Sequence, residues 1–79
     1  MPLERKPERV ALLWKLSWKK DRLTCSVYRA GKRLEMRLES ETKVIVTEPF
    51  ELRPRMLTRV RALRNSLLRR GWIDCGPPV

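Results

Sequence analysis

The stretch Leu52 to Trp72, LRPRMLTRVRALRNSLLRRGW, decides how the rest of the chain is read. Met56, Val60, Leu63 and Leu67 recur at steps of four, three and four, the spacing of one apolar helix face. Leu57 and Leu68 widen that stripe on one side. Pro54 suits a first turn, where its missing N–H has no intrahelical partner. Gly71 stands where a left-handed residue would stop the helix, and Trp72 can fold back onto Leu67 in a Schellman-type cap. Stripe, start and stop therefore predict one amphipathic helix that needs an apolar surface to lie on.

The same stretch carries seven arginines, at 53, 55, 59, 61, 64, 69 and 70, and no acidic residue. No ion pair can form within the helix, and Arg55 and Arg59 repel across one turn by a few tenths of a kcal/mol, about 0.2–0.5. Its stability must come from packing. Arg64 falls between Leu57 and Leu68, inside the apolar arc. Either its stem covers the core edge while its head reaches water, or it pairs with a sheet glutamate or joins a subunit interface.

Working back toward the N-terminus, the surface this helix needs comes from period-two segments. Leu12, Trp14, Leu16 and Trp18 alternate with Leu13, Lys15, Ser17 and Lys19, the pattern of a half-buried antiparallel strand with both tryptophans in the core. After a Lys19–Arg22 turn, Leu23, Cys25 and Val27 face in while Thr24, Ser26 and Tyr28 face out. Ala30-Gly31-Lys32 marks a hairpin turn. Leu34, Met36 and Leu38 then alternate with Arg33, Glu35, Arg37 and Glu39. Ser40-Glu41-Thr42 turns the chain again, Lys43 to Thr47 is a β-branched fourth strand, and Glu48-Pro49-Phe50 ends it, with Phe50 over the joint. Short turns favour a meander. The expected fold is α+β: a four-stranded antiparallel β-meander followed by one C-terminal amphipathic helix packed on one sheet face. Residues 1–9 are expected to form a disordered, charged, proline-bearing arm, residues 10–73 a single ββββα domain, and residues 74–79 a flexible tail.

Seventy-nine residues with a net charge of +10 allow one small core and a strongly cationic surface. Residues 1–9 sum to +1, residues 10–50 to +4 and residues 52–73 to +7, with Glu51 and Asp74 subtracting two. Charge of this size favours attachment to polyanions, or serves solubility alone. Cys25 and Cys75 stand fifty residues apart with no histidine, which is neither a zinc nor a CxxC pattern. Cys25 reads as a small core residue and Cys75 as a free thiol. The first nine residues are too charged for a signal peptide, and the apolar run Val10–Trp14 is too short to span a bilayer. A cytoplasmic setting without membrane attachment is the expectation.

Enzyme chemistry has little to stand on. Asp21 lies in a turn and Asp74 in the tail, Glu35 and Glu39 alternate with arginines on a solvent face, and no glycine-rich phosphate loop is present. No cofactor, metal or small-molecule substrate is expected. The outer sheet face is better equipped, with Lys15, Tyr28, Arg33, Arg37 and Lys43 interspersed with small hydroxyls. Cations that track phosphates beside a ring that stacks a base describe a single-stranded nucleic-acid platform. Arg55, Arg59 and Arg69 of the helix form a second basic patch. In element order, ββββα with a basic sheet, the chain resembles the Whirly and Pur-alpha type single-stranded nucleic-acid-binding folds, without any shared residue motif.

The expectation is thus a non-enzymatic, basic domain that binds single-stranded DNA or RNA with little sequence specificity. The alternative is a homodimeric protein-interaction module with no nucleic-acid role. A homodimer is expected in either case, because so short a chain gains needed buried area by pairing.

Overall fold

The computed structural model describes residues 7–75. Four antiparallel strands, β1 (Glu8–Trp18), β2 (Asp21–Ala30), β3 (Arg33–Glu39) and β4 (Val44–Phe50), form a meander. Helix α1 (Arg53–Arg69) crosses one face against β3 and β4, and a two-residue strand β5 (Ile73–Asp74) returns to pair with β1. The sheet order is β4-β3-β2-β1-β5. The α+β meander-plus-helix architecture expected from the alternation is therefore present. Several boundaries differ: β2 begins at Asp21, inside the expected turn, and β4 begins at Val44 and not at Lys43. β1 starts at Glu8, inside the expected arm, while residues 1–6 of that arm lie outside the described residues. β4 runs on through Pro49 to Phe50, which an edge strand permits because a missing N–H on the outer side leaves the ladder intact. Asp74, placed in the tail, is in β5, and residues 76–79 lie outside the described residues.

The core is one slab between sheet and helix: Trp14, Leu16, Leu23, Cys25, Val27, Met36, Leu38, Met56 and Val60. Leu63, Leu67 and Leu68 continue the helix stripe at the edge of the slab, with Phe50 at the joint. Burying each large apolar side chain stabilises by about 1.5–3 kcal/mol. The helix needs this, because its N-terminus is poorly capped. Leu52 is extended and offers no side-chain bond, and no acidic residue occupies the first turn. Its other end is well made. Trp72 N–H donates to the Leu67 carbonyl and Gly71 N–H to that of Leu68, each at 3.1 Å, with Gly71 at φ +106°. That is the Schellman arrangement foreseen at Gly71. Leu57 is 42% exposed, so it widens the stripe without reaching the core.

β1 departs from simple alternation. Arg9 pairs with Tyr28 but Ala11 with Val27, and Leu12 pairs with Ser26 but Trp14 with Cys25. Val10 and Leu13 are each an extra residue, and every such bulge resets which face the following side chains take. Trp14 and Leu16 keep the helix side as expected. Leu12 does not, since it pairs with Ser26 on the opposite face, while the extra Leu13 packs against the core margin. Trp18 lies past the end of the slab and is 41% exposed, so only one of the two β1 tryptophans is a core residue. A third irregularity, at Leu38/Glu39 against β4, leaves Ile45 extra.

Candidate nucleic-acid interface

The outer sheet face collects, by register, Arg9, Leu12, Lys15 and Ser17 from β1 and Thr24, Ser26 and Tyr28 from β2. Arg33, Glu35, Arg37 and Glu39 come from β3, and Thr47 and Pro49 from β4. The expected sheet residues are on this face or at its margin, but they are not one cluster. Lys15 sits opposite Thr24 and Arg33 opposite Ala30. Six residue steps along β2, from Thr24 to Ala30, separate those rows, about 20 Å at the rise of a strand. Lys43 lies in the turn before β4, where Ser40 N–H donates to its carbonyl at 2.9 Å. Lys15, Arg33 and Lys43 are exposed.

The centre of the face is occupied by its own ion pair and hydrogen bond. Tyr28 donates its hydroxyl to Glu39 Oε1 at 2.9 Å. Arg37 Nη2 donates to Glu35 Oε2 at 3.1 Å, and the same guanidinium lies 4.2 Å from the centroid of the Tyr28 ring. With side-chain exposures of 23% and 24%, Arg37 and Glu35 are the most protected ion pair among the described residues. Partial burial raises the Tyr28 pKa above its ordinary value, Glu39 adds to the rise, and Arg9 and Arg37 oppose it. Ser26, fully buried, lies between Leu12 and Arg37 in the register. Positive charge is therefore broken across the middle of the sheet by Glu35 and Glu39, and one face of the tyrosine is already covered.

The helix is different. Arg55, Arg59 and Arg69 fall within about 80° of arc on one flank, spanning about 21 Å along the axis. Arg53, Arg61 and Arg64 take the other flank, toward Leu57. Glu48 accepts from Arg59 Nε at 2.9 and 3.2 Å, which raises the guanidinium pKa further. Arg64 bonds Asp74 of β5, so its paired alternative holds, with an aspartate as the partner. Arg53, Arg55, Arg61, Arg69 and Arg70 make no ion pair with a described carboxylate.

Two groups were not visible to pattern reading. Arg9 joins the sheet face opposite Tyr28 because β1 begins early. At the far end of the slab, Trp18 and Trp72 pair with ring centroids 5.9 Å apart. A signal for the second existed in the Lys19-Lys20 that follows Trp18 and the Arg69-Arg70 that precedes Gly71-Trp72. Among the described residues, no three Cys, His, Asp or Glu side chains converge to hold a metal ion. No described helix is long and apolar enough to cross a membrane. No protein-family model, curated protein or solved structure matches the chain.

Proposed function

We propose that this chain is a small nucleic-acid-binding domain that grips the phosphate backbone through the arginines of α1, prefers single strands, and reads little sequence. The observation that supports it is the helix itself: seven arginines with no acidic residue among them, only two of which meet a described carboxylate. Arg55 and Arg69 are exposed on the same flank as Arg59, so a polyanion can run along the helix without displacing a core contact. Lys15, Arg33 and Lys43 at the sheet margins add cationic anchors for a longer strand. Tyr28 and Arg37 serve the sheet face only when the Arg37–Glu35 contact opens.

Fluorescence anisotropy with short DNA and RNA oligomers over a salt series tests the reading. Log affinity should fall linearly with log salt. Each phosphate contact removed should flatten the slope by about 0.7 for single strands or about 0.9 for duplex DNA. An Arg55→Gln/Arg69→Gln double variant should therefore lose about 1.4 from the single-strand slope while keeping its fold. No binding by the parent at about 50 mM salt and micromolar protein would refute it.

A second reading, the homodimeric interaction module, is favoured by one observation. β4 is an outermost strand of the sheet, and its Val44 and Ile45 are 46% and 47% exposed. An open, β-branched edge is a ready partner for a second copy.

A further inference from the structure

The Trp18/Trp72 corner is built from three elements that meet at one end of the sheet. Trp18 ends β1 on the helix side of the sheet, beyond the last core residue, and keeps 41% of its surface in solvent. Trp72 is delivered beside it by the Schellman cap, at 5.9 Å and a tilt of 47°, so the two rings support each other and fix one indole in place. Gly71 permits this because its φ of +106° suits glycine alone; space is not the reason, since an added Cβ would sit in ordinary contact 3.8 Å from Trp18 Nε1. Lys19, first of the two turn residues, holds its ammonium 4.8 Å from the Trp18 centroid.

The turn that carries Lys19 is strained. Lys19 has φ +55°, a left-handed conformation that glycine or asparagine adopts at much lower cost. A lysine held there presents its charge over an exposed indole. Lys20, Arg69 and Arg70 surround the pair along the chain, all exposed, and none of these four cations makes an ion pair with a described carboxylate. Asp21 stands opposite Trp18 in the register, and Asp74 of β5 is engaged with Arg64.

We infer that this corner is a base-stacking site for single-stranded nucleic acid, an inference that rests on the nucleic-acid reading above. An unpaired base takes the face of Trp18, Lys19 leaves the ring for an adjacent phosphate, and Lys20, Arg69 and Arg70 hold the flanking phosphates. Stacking on a ring fixed from behind needs little reordering, and every base has a π-face, so the site discriminates strandedness and not sequence. Of the two candidate aromatic surfaces it is the available one. The Tyr28 ring is covered by a guanidinium that is itself bonded to Glu35, whereas the group over Trp18 is a lysine with no such tie. The corner favours nucleic acid over a lipid surface, since exposed cations flank the rings while Ile73, the exposed aliphatic residue next to Trp72 in sequence, pairs with Ser17 on the other face of the sheet.

The test titrates the full chain with a short oligothymidylate, the same oligomer carrying abasic sites, and a duplex of equal length, at one salt concentration. Binding should quench tryptophan fluorescence. Trp18→Leu should weaken the oligothymidylate by roughly 5- to 150-fold, the range for one stacked base, and change duplex affinity by less than about two-fold. Trp18→Phe should recover most of the loss. The abasic oligomer should bind the parent as weakly as the intact one binds Trp18→Leu, which keeps the inference testable if that variant does not fold. Binding by the parent with equal affinity for intact and abasic oligomers, or unchanged affinity in folded Trp18→Leu, overturns the stacking site and leaves the helix reading standing. No binding of any oligomer by the parent overturns both. Capture by phosphatidylserine vesicles that intact oligomer does not compete off overturns the corner as a base site.

Discussion

Replacing Gly71 by alanine isolates the one backbone position on which the helix stop, the second tryptophan and β5 all depend. The space is adequate, since the nearest atom to an added Cβ would be Trp18 Nε1 at 3.8 Å. The cost is therefore conformational. At φ +106° the residue lies beyond the small left-handed region of about +50° to +70° that non-glycine residues can reach. A left-handed residue with a side chain costs about 1–2 kcal/mol. Relaxing toward negative φ instead would break the two bonds to the Leu67 and Leu68 carbonyls, which is no cheaper. Taking about 1.5 kcal/mol, and a urea dependence of about 1 kcal/mol per molar for so small a domain, the midpoint should fall by about 1.5 M. The melting temperature should fall by about 6–12 °C. The control is Gly31→Asn in the β2–β3 turn. There φ is +64° with open space around the site, so asparagine should cost only a few tenths of a kcal/mol, about 0.3. Urea denaturation followed by tryptophan emission reports both variants. If Gly71→Ala lies within about 0.3 kcal/mol of the parent, the cap is not holding the end of the helix and the argument fails.

Two further outcomes are expected. Burial pushes the Cys25 pKa from 9.0 up to about 12, so the fold favours the neutral thiol. That stabilisation is complete below pH 9 and is lost as pH rises toward 12, by about 4 kcal/mol at most. Cys25→Ala removes the loss, so parent and variant denaturation midpoints should converge above pH 9, and curves that stay parallel would refute it. For the β4 edge, multi-angle light scattering at rising concentration should show a species of twice the chain mass, and Ile45→Lys should return it to monomer. A single chain mass at every concentration would remove the dimer.

The helix was legible in the sequence because three independent signals coincide there. The stripe at 56, 60, 63 and 67 sets the period, Pro54 suits the start, and Gly71 with Trp72 supplies the stop. β3 was legible because strict alternation from Arg33 to Glu39 meets no bulge on its β2 side. β1 was not, and Ala11-Leu12-Leu13-Trp14 shows why. Four consecutive apolar residues fit either phase of a period-two pattern, so nothing local announces that Leu13 is extra and that Leu12 turns outward. Trp18 was misplaced for a related reason. Alternation assigns a face but not how far the slab extends, and the helix that sets that limit, Arg53–Arg69, is distant in sequence. β5 left no trace, because two residues cannot display a period. The candidate site suffered most from pairings of this kind. Alternation puts Tyr28 and Arg37 on one face correctly, yet only register tells that the guanidinium covers the ring and that Glu39 takes the hydroxyl.

The placement of the acids on the sheet and the arginines on the helix has an energetic consequence for both. Glu35 neutralises Arg37 two residues along β3, and Glu39 takes the Tyr28 hydroxyl, so the acids of β3 are engaged within the sheet face. The helix has no such relief along its length. Glu48 meets it at Arg59 and Asp74 at Arg64, both from strands, while five arginines have no described carboxylate. Their mutual repulsion is a cost that the Met56–Val60 stripe must outweigh in the free protein. In the proposed complex a phosphate chain laid along α1 would remove that cost, so the gain in affinity and the gain in helix stability would have the same origin. The sheet gains nothing comparable, because opening the Arg37–Glu35 pair to admit a phosphate leaves a glutamate beside it. Under the proposed nucleic-acid reading, the expected course of the strand is along the helix and over the corner where the helix ends, with the sheet contributing only the cations at its margins.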